Sequence, residues 1–321
     1  MKSNCFYPFT RAFCSDVGDM TSFIWASYAG LWSIYKSGTE LAGLSSTPEW
    51  KKIANHLTFG IPDQGGIDLK VITSKPWSNH QATYTNFILT QGAILYEEWT
   101  GRLAESTATT GKKVKAETYQ FPSSTTSNKY INWSALDSSG AIATSPFLVS
   151  EVQPKLLTAH ATNITNLDAL LNWYRYFKEL RNSIAHHGGE ASQRAIDAYI
   201  AASAVTLGSA GMSRDLTSSA PVLGKQVSIP LADAVLFLGL IQRLAFAFDA
   251  KYCTTNHAEI DLKARIQFAT AKNPPPIEAS AQKKQAWIKN FLNHKANITV
   301  ASIQNAENWL ETNGLVNIRQ I

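Results

Sequence analysis

Apolar residues recur at helical spacing along most of this chain, and the strict alternation expected of a half-buried strand is nearly absent. Thr21 to Leu44 predicts a first long helix. Asn79 to Glu105 predicts a second, where Tyr84, Phe87, Ile88, Ile94, Leu95 and Trp99 form an apolar stripe. Aromatic residues at such spacings, Trp25, Trp32, Trp99 and Trp173 among them, read as core. Leu170, Trp173, Phe177, Leu180 and Ile184 step by three and four residues through a third helix, which Gly188-Gly189 stops. A fourth is expected over Ala191 to Val205, ahead of a Ser/Gly-rich loop reaching Ser228. Pro230, at a first helical position, opens Leu231 to Tyr252, which is apolar nearly all round. Its Asp233, Gln242, Arg243 and Asp249 suit a buried central helix rather than a membrane span.

Three stretches interrupt this pattern. Ile61-Pro62-Asp63-Gln64-Gly65-Gly66 reads as a turn region. From Ser106 to about Ser145 the chain is rich in Ser, Thr, Gly and Lys, with one weakly alternating segment, Val114 to Phe121, that reads as a strand in an irregular surface insertion. Asn273-Pro274-Pro275-Pro276 is a stiff boundary. Beyond it, Lys283 to Lys295 and Ala301 to Thr312 predict short helices, the second stopped by Gly314, with a strand at Leu315 to Ile318. The expected fold class is mainly α. A helical domain spans 1–255, with its core at about 79–253 and the insertion at about 106–145. A small, winged-helix-like helical appendage follows over 256–321.

Composition narrows the compartment more than the chemistry. The 321 residues have the apolar content of a compact body, and their net charge of +5 permits nucleic-acid binding without requiring it. Arg11, Asp16 and Asp19 interrupt the apolar run that a signal peptide would need. Cys5, Cys14 and Cys253 cannot all pair within one chain, and their spacing matches no zinc ribbon, so a reducing cytoplasm with no membrane attachment, metal or cofactor is the expectation. His257-Ala258-Glu259 begins like a zinc deaminase motif, but no Pro-Cys-x-x-Cys follows it.

One run carries chemistry: Glu179-Leu180-Arg181-Asn182-Ser183-Ile184-Ala185-His186-His187-Gly188-Gly189, at the end of the third helix. A permanent cation beside an imidazole can hold the charge that develops on a phosphate while a proton moves. Five residues rotate about 140° around a helix, so Arg181 and His186 do not share a face. Either the helix distorts at its glycine-rich end, or a second, two-fold-related chain completes the site. The competing reading is structural, since Arg and His near a helix C-terminus also complement its dipole and cap its carbonyls. Glu97 or Glu98 would orient Arg181 if the second and third helices pack together. Lys112, Lys113 and Lys115, after Gly111, form a basic loop suited to an RNA backbone.

Arg181, Asn182 and His186 together resemble the signature of the HEPN superfamily: an Arg, a polar residue after it, and a His four to six residues beyond the Arg. His187 also falls within that spacing. The amphipathic helix leading into the motif and the long apolar helix after it, within about Asn79 to Cys253, are similar to the context of HEPN proteins in bacterial toxin and phage-defence systems. The resemblance implies a helical bundle, a homodimer with the motifs facing each other, and metal-independent RNA cleavage leaving a 2′,3′-cyclic phosphate. Arg181 and His186 then become the catalytic pair, Asn182 the polar supporter and His187 a further candidate. An antitoxin or defence-system partner is also implied. Some HEPN proteins only bind, so a non-catalytic RNA- or protein-binding module is the alternative.

Overall fold

The computed structural model describes residues 5–44, 49–57, 68–108, 114–123, 131–138, 142–272 and 280–316. Among these the fold is helical and contains no strand, only two isolated bridges, Thr144 with Thr255 and Glu190 with Gln226. The helices are α1 (Pro8–Gly43), α2 (Trp50–Leu57), α3 (Leu69–Ser74), α4 (Trp77–Thr107), α5 (Trp133–Ser138), α6 (Gln153–Ala159), α7 (Leu167–His186), α8 (Gln193–Ser203), α9 (Leu231–Tyr252), α10 (Asn256–Lys272), α11 (Ala281–Phe291) and α12 (Ile303–Thr312).

The apolar character of α9 is explained by its place: α1, α4, α6 and α7 all pack on it. Among the described residues it is the helix long and apolar enough to cross a membrane, yet most of it is buried within the fold. It runs parallel to α4, with Gly92 of α4 against Phe237 and Leu238, and Trp99 against Phe248. A Cβ on Gly92 would come within 2.8 Å of Leu238 Cδ2, so the glycine is what lets these two helices approach. Helix α7 runs the other way: Tyr174 and Phe177 meet Phe237, whereas Trp133, bonded to Asp168 near the start of α7, meets Phe248. The C-terminus of α7 therefore lies at the end of the bundle where α9 begins.

Several expectations change. Helix α1 starts at Pro8, well before Thr21, because Thr10, Phe13, Cys14 and Val17 already form a buried face while Asp16 and Asp19 point outward. Trp25 and Trp32 are 51% and 42% exposed rather than core, whereas Trp99 and Trp173 are buried. Val114–Phe121 is no strand: Ala116–Tyr119 is a turn of 3-10 helix, and Tyr119 plugs the core against Phe248 and Tyr252. The segment after α4 is accordingly part of the core as well as surface. Helix α10 has no counterpart in the sequence expectations. Leu315 and Val316 are buried without strand pairing, and residues 317–321, like the turn at 61–66 and the boundary at 273–276, lie outside the described residues.

The C-terminal helices dock rather than hang free. Glu151, in a π-helical turn before α6, accepts from Ser302 N at 2.7 Å and Asn305 Nδ2 at 2.8 Å at the start of α12, and Trp309 stacks on Phe147 at 4.2 Å. Lys284 is buried between Glu307 and Glu311.

The other end of the chain is fastened by Asp249 of α9, whose buried carboxylate accepts from Phe6 N at 2.6 Å and Tyr7 N at 3.1 Å. Burial pushes this acid up to about 6, against the opposing pull of those N–H groups, Thr10 and Arg11. A carboxyl whose folded value lies above its unfolded value contributes stability below the unfolded value, and loses it as pH rises through the folded one. The melting temperature of wild type relative to Asp249→Asn is therefore expected to fall between pH 4 and pH 7; thermal melts across that range check it, and a flat difference counts against it.

Candidate functional site

Periodicity sets two neighbouring stripes along α7. Tyr174, Lys178 and Arg181 follow one another at four and three residues, and so do Arg175, Glu179, Asn182 and His186 one residue further along. The first stripe turns toward α4. There Glu97 Oε1 receives Lys178 Nζ at 2.9 Å and Arg181 Nη2 at 3.0 Å, while Lys178 also donates to Gln120 Oε1 at 2.8 Å. Glu98 faces outward and pairs with Arg102 instead. Two cations thus share one carboxylate, leaving a positive surplus in a half-buried place.

That place also holds polar groups without partners. Among the described residues, Arg181 Nε and the Tyr174 hydroxyl are buried and make no hydrogen bond. Burial also pushes the Tyr174 phenol well above its ordinary range, so it stays protonated. An unsatisfied buried donor costs about 1–3 kcal/mol. Both atoms are closed off from solvent, so an anion would meet this cluster through the partly exposed Lys178 and Arg181 side chains, which are 17% and 19% accessible.

The second stripe is tied within itself. Buried Glu179 receives Arg175 Nη2 at 3.0 Å and Asn182 Nδ2 at 3.4 Å, and the Arg175 guanidinium lies 4.3 Å from the centre of the Phe121 ring. Asn182 is therefore bonded away from Arg181. His186 and His187 are exposed, and their rings make no hydrogen bond among the described residues.

Backbone bonds position the histidines. His187 N and Gly189 N both donate to Ser183 O, and Gly188 and Gly189 take φ of +62° and +88°, which side chains resist. Gln226 Nε2 donates to Gly188 O, Val227 N to Gly189 O and Ala191 N to Lys225 O, pinning the turn to the loop before α9. Ser183 Oγ accepts from Ser192 N, and Ser192 in turn caps α8.

The structure brings Glu97 to Arg181, as the packing of the two helices requires, and adds Lys178 and Tyr174, which sequence reasoning missed. Their spacing to Arg181 was the available signal. It does not bring Arg181 and His186 together within one protomer, because the helix stays regular through His186 and keeps them on different stripes. Lys115 is exposed at the entrance to the 3-10 turn that leads to Gln120; Lys112 and Lys113 lie outside the described residues. Among the described residues no cluster of His, Cys, Asp and Glu has the arrangement of a metal site, and the three cysteines are buried free thiols. Comparison with protein-family models, with curated proteins and with solved structures finds no match to this chain.

Proposed function

We propose that this protein is a metal-independent endoribonuclease of HEPN type, acting as a homodimer in the cytoplasm as a toxin or phage-defence effector. The observation that carries the reading is the surplus cation of the partly exposed Arg181–Lys178–Glu97 cluster, close to a helix end that exposes His186. In the reaction, a neutral imidazole takes the proton of a ribose 2′-hydroxyl, and the 2′-oxygen attacks the adjacent phosphorus. The P–O5′ bond breaks to leave a 2′,3′-cyclic phosphate, and an imidazolium protonates the departing 5′-oxygen. Arg181 braces the negative charge of the pentacoordinate phosphate. Because Arg181 and His186 stand on separate stripes, the reading requires the imidazole to come from the second chain.

That same separation favours, for an isolated protomer, a non-catalytic RNA- or protein-binding module of a defence complex. Purified protein incubated with transfer or messenger RNA in excess chelator separates the two. Cleavage to fragments ending in 2′,3′-cyclic phosphate supports the nuclease. Cleavage abolished by the chelator, or RNA bound but left intact, overturns it.

A further inference from the structure

A glycine inside a helix is less stable there than alanine, so each one calls for a reason. Helix α4 contains two. Gly92 has its reason in the close approach of α9. Gly101 has none among the described residues, where a Cβ would meet nothing within 4 Å. On the same helix Phe87 is 45% and Ile94 47% exposed. Phe87, Ile94 and Gly101 lie seven residues apart, which lines them up along one narrow stripe.

We propose that this stripe is where a second copy of the chain docks, its α4 crossing antiparallel about a two-fold axis at Ile94. The pattern is self-complementary under that symmetry. Ile94 meets its twin, Phe87 falls opposite Gly101 of the partner copy, and the glycine leaves the hole that the ring fills. Charge agrees as well. A cleft of about 700 Å³ beside Phe87 is lined by Leu31, Lys75, His80, Thr83 and Tyr84, with no carboxylate among the described residues, and the same symmetry sets Glu105 of the partner copy opposite Thr83 on its wall. Helix α1 offers a rival stripe in Gly18, Trp25 and Trp32, also seven apart. Only the α4 stripe is continuous with the candidate site, because Glu97, which holds Arg181, stands one turn beyond Ile94. The proposal thus rests on the ribonuclease reading for its consequence, that the contact sets two Arg181 sites beside one axis, but not for its geometry.

The mass of the full chain in solution, by size-exclusion chromatography with light scattering, tests it. Wild type is expected as a dimer, Ile94→Glu as a monomer of unchanged helical circular dichroism, and Trp25→Glu as a dimer. Gly101→Leu is expected to weaken the dimer by at least about tenfold while raising the helicity or melting temperature of the protomer, a combination a merely structural glycine would not give. Ile94→Cys should cross-link to its twin under mild oxidation, because the native thiols are buried. A monomeric wild type, a dimer that survives Ile94→Glu, or one broken by Trp25→Glu overturns the interface. A dimer that depends on Ile94 in a protein that cleaves no RNA supports the interface and sinks the nuclease instead; cleavage by monomeric Ile94→Glu overturns both the docked site and the two-chain reading of the nuclease.

Discussion

Arg181→Ala is expected to slow RNA cleavage by about 10²–10³-fold, the usual cost of removing a donor aimed at developing charge, with little change in melting temperature. The fold is spared because Lys178 stays at 2.9 Å from Glu97, so the carboxylate is not left unpaired. His186→Ala, at an exposed position, is expected to cost about 10²–10⁴-fold, as the loss of a general base or acid does. Each variant alone is slowed at least about a hundredfold on this reading, so mixing them is more informative. If the catalytic Arg and His come from different chains, a mixed dimer of Arg181→Ala with His186→Ala keeps one complete site. Random assortment then restores about a quarter of wild-type activity. Sites contained within one chain would give no recovery at all. Single-turnover cleavage by the mixture, after unfolding and refolding the two variants together, measures the difference.

The parts of the fold that were legible beforehand are those in which one helix reports on itself. The bounds of α9 agree with the apolar run from Leu231 to Tyr252, and α7 stops where Gly188-Gly189 permits positive φ. Helix α10 was equally periodic, with Ala258, Leu262, Ile266 and Ala269 buried, but Ile260 and Phe268 on its open side blur the stripe. What stayed hidden depends on pairs of elements. Nothing local distinguishes Glu97 from Glu98; the packing of α4 against α7 turns the first inward and leaves the second to Arg102. Tyr119 looked like part of a strand because alternation over a few residues cannot tell an extended segment from a 3-10 turn whose aromatic ring closes a core. Trp25 and Trp32 carry the spacing of core residues, yet spacing identifies a face without identifying what covers it.

The largest loss of stability is expected from Asp233→Ala. Asp233 is wholly buried in the first turn of α9, and its carboxylate organises the long loop that precedes the helix: Thr217 N and Ser218 N donate to it at 3.1 and 2.8 Å, and Arg214 Nη1 at 2.9 Å. Burial alone would raise this acid, but those N–H groups and the guanidinium more than offset it and hold it below the ordinary carboxylate range. Removing one partner of such a network strands the others, at a cost of about 3–5 kcal/mol, or roughly 4–8 °C in melting temperature for a chain of this size. The sign with pH follows from the lowered value. The contribution is complete above the unfolded carboxyl value and disappears as pH falls through the lower, folded one. The stability gap between wild type and Asp233→Asn should therefore hold level from pH 8 to pH 5 and shrink only in stronger acid, which urea titrations at each pH would measure. A gap that closes on the alkaline side would contradict the assignment. Because the same loop later pins Gly188 and Gly189 through Gln226 and Val227, loosening it also frees the turn that positions His186. Asp233→Asn is accordingly expected to lose RNA cleavage on warming at a lower temperature than it loses helical circular dichroism, whereas the two losses should coincide in wild type.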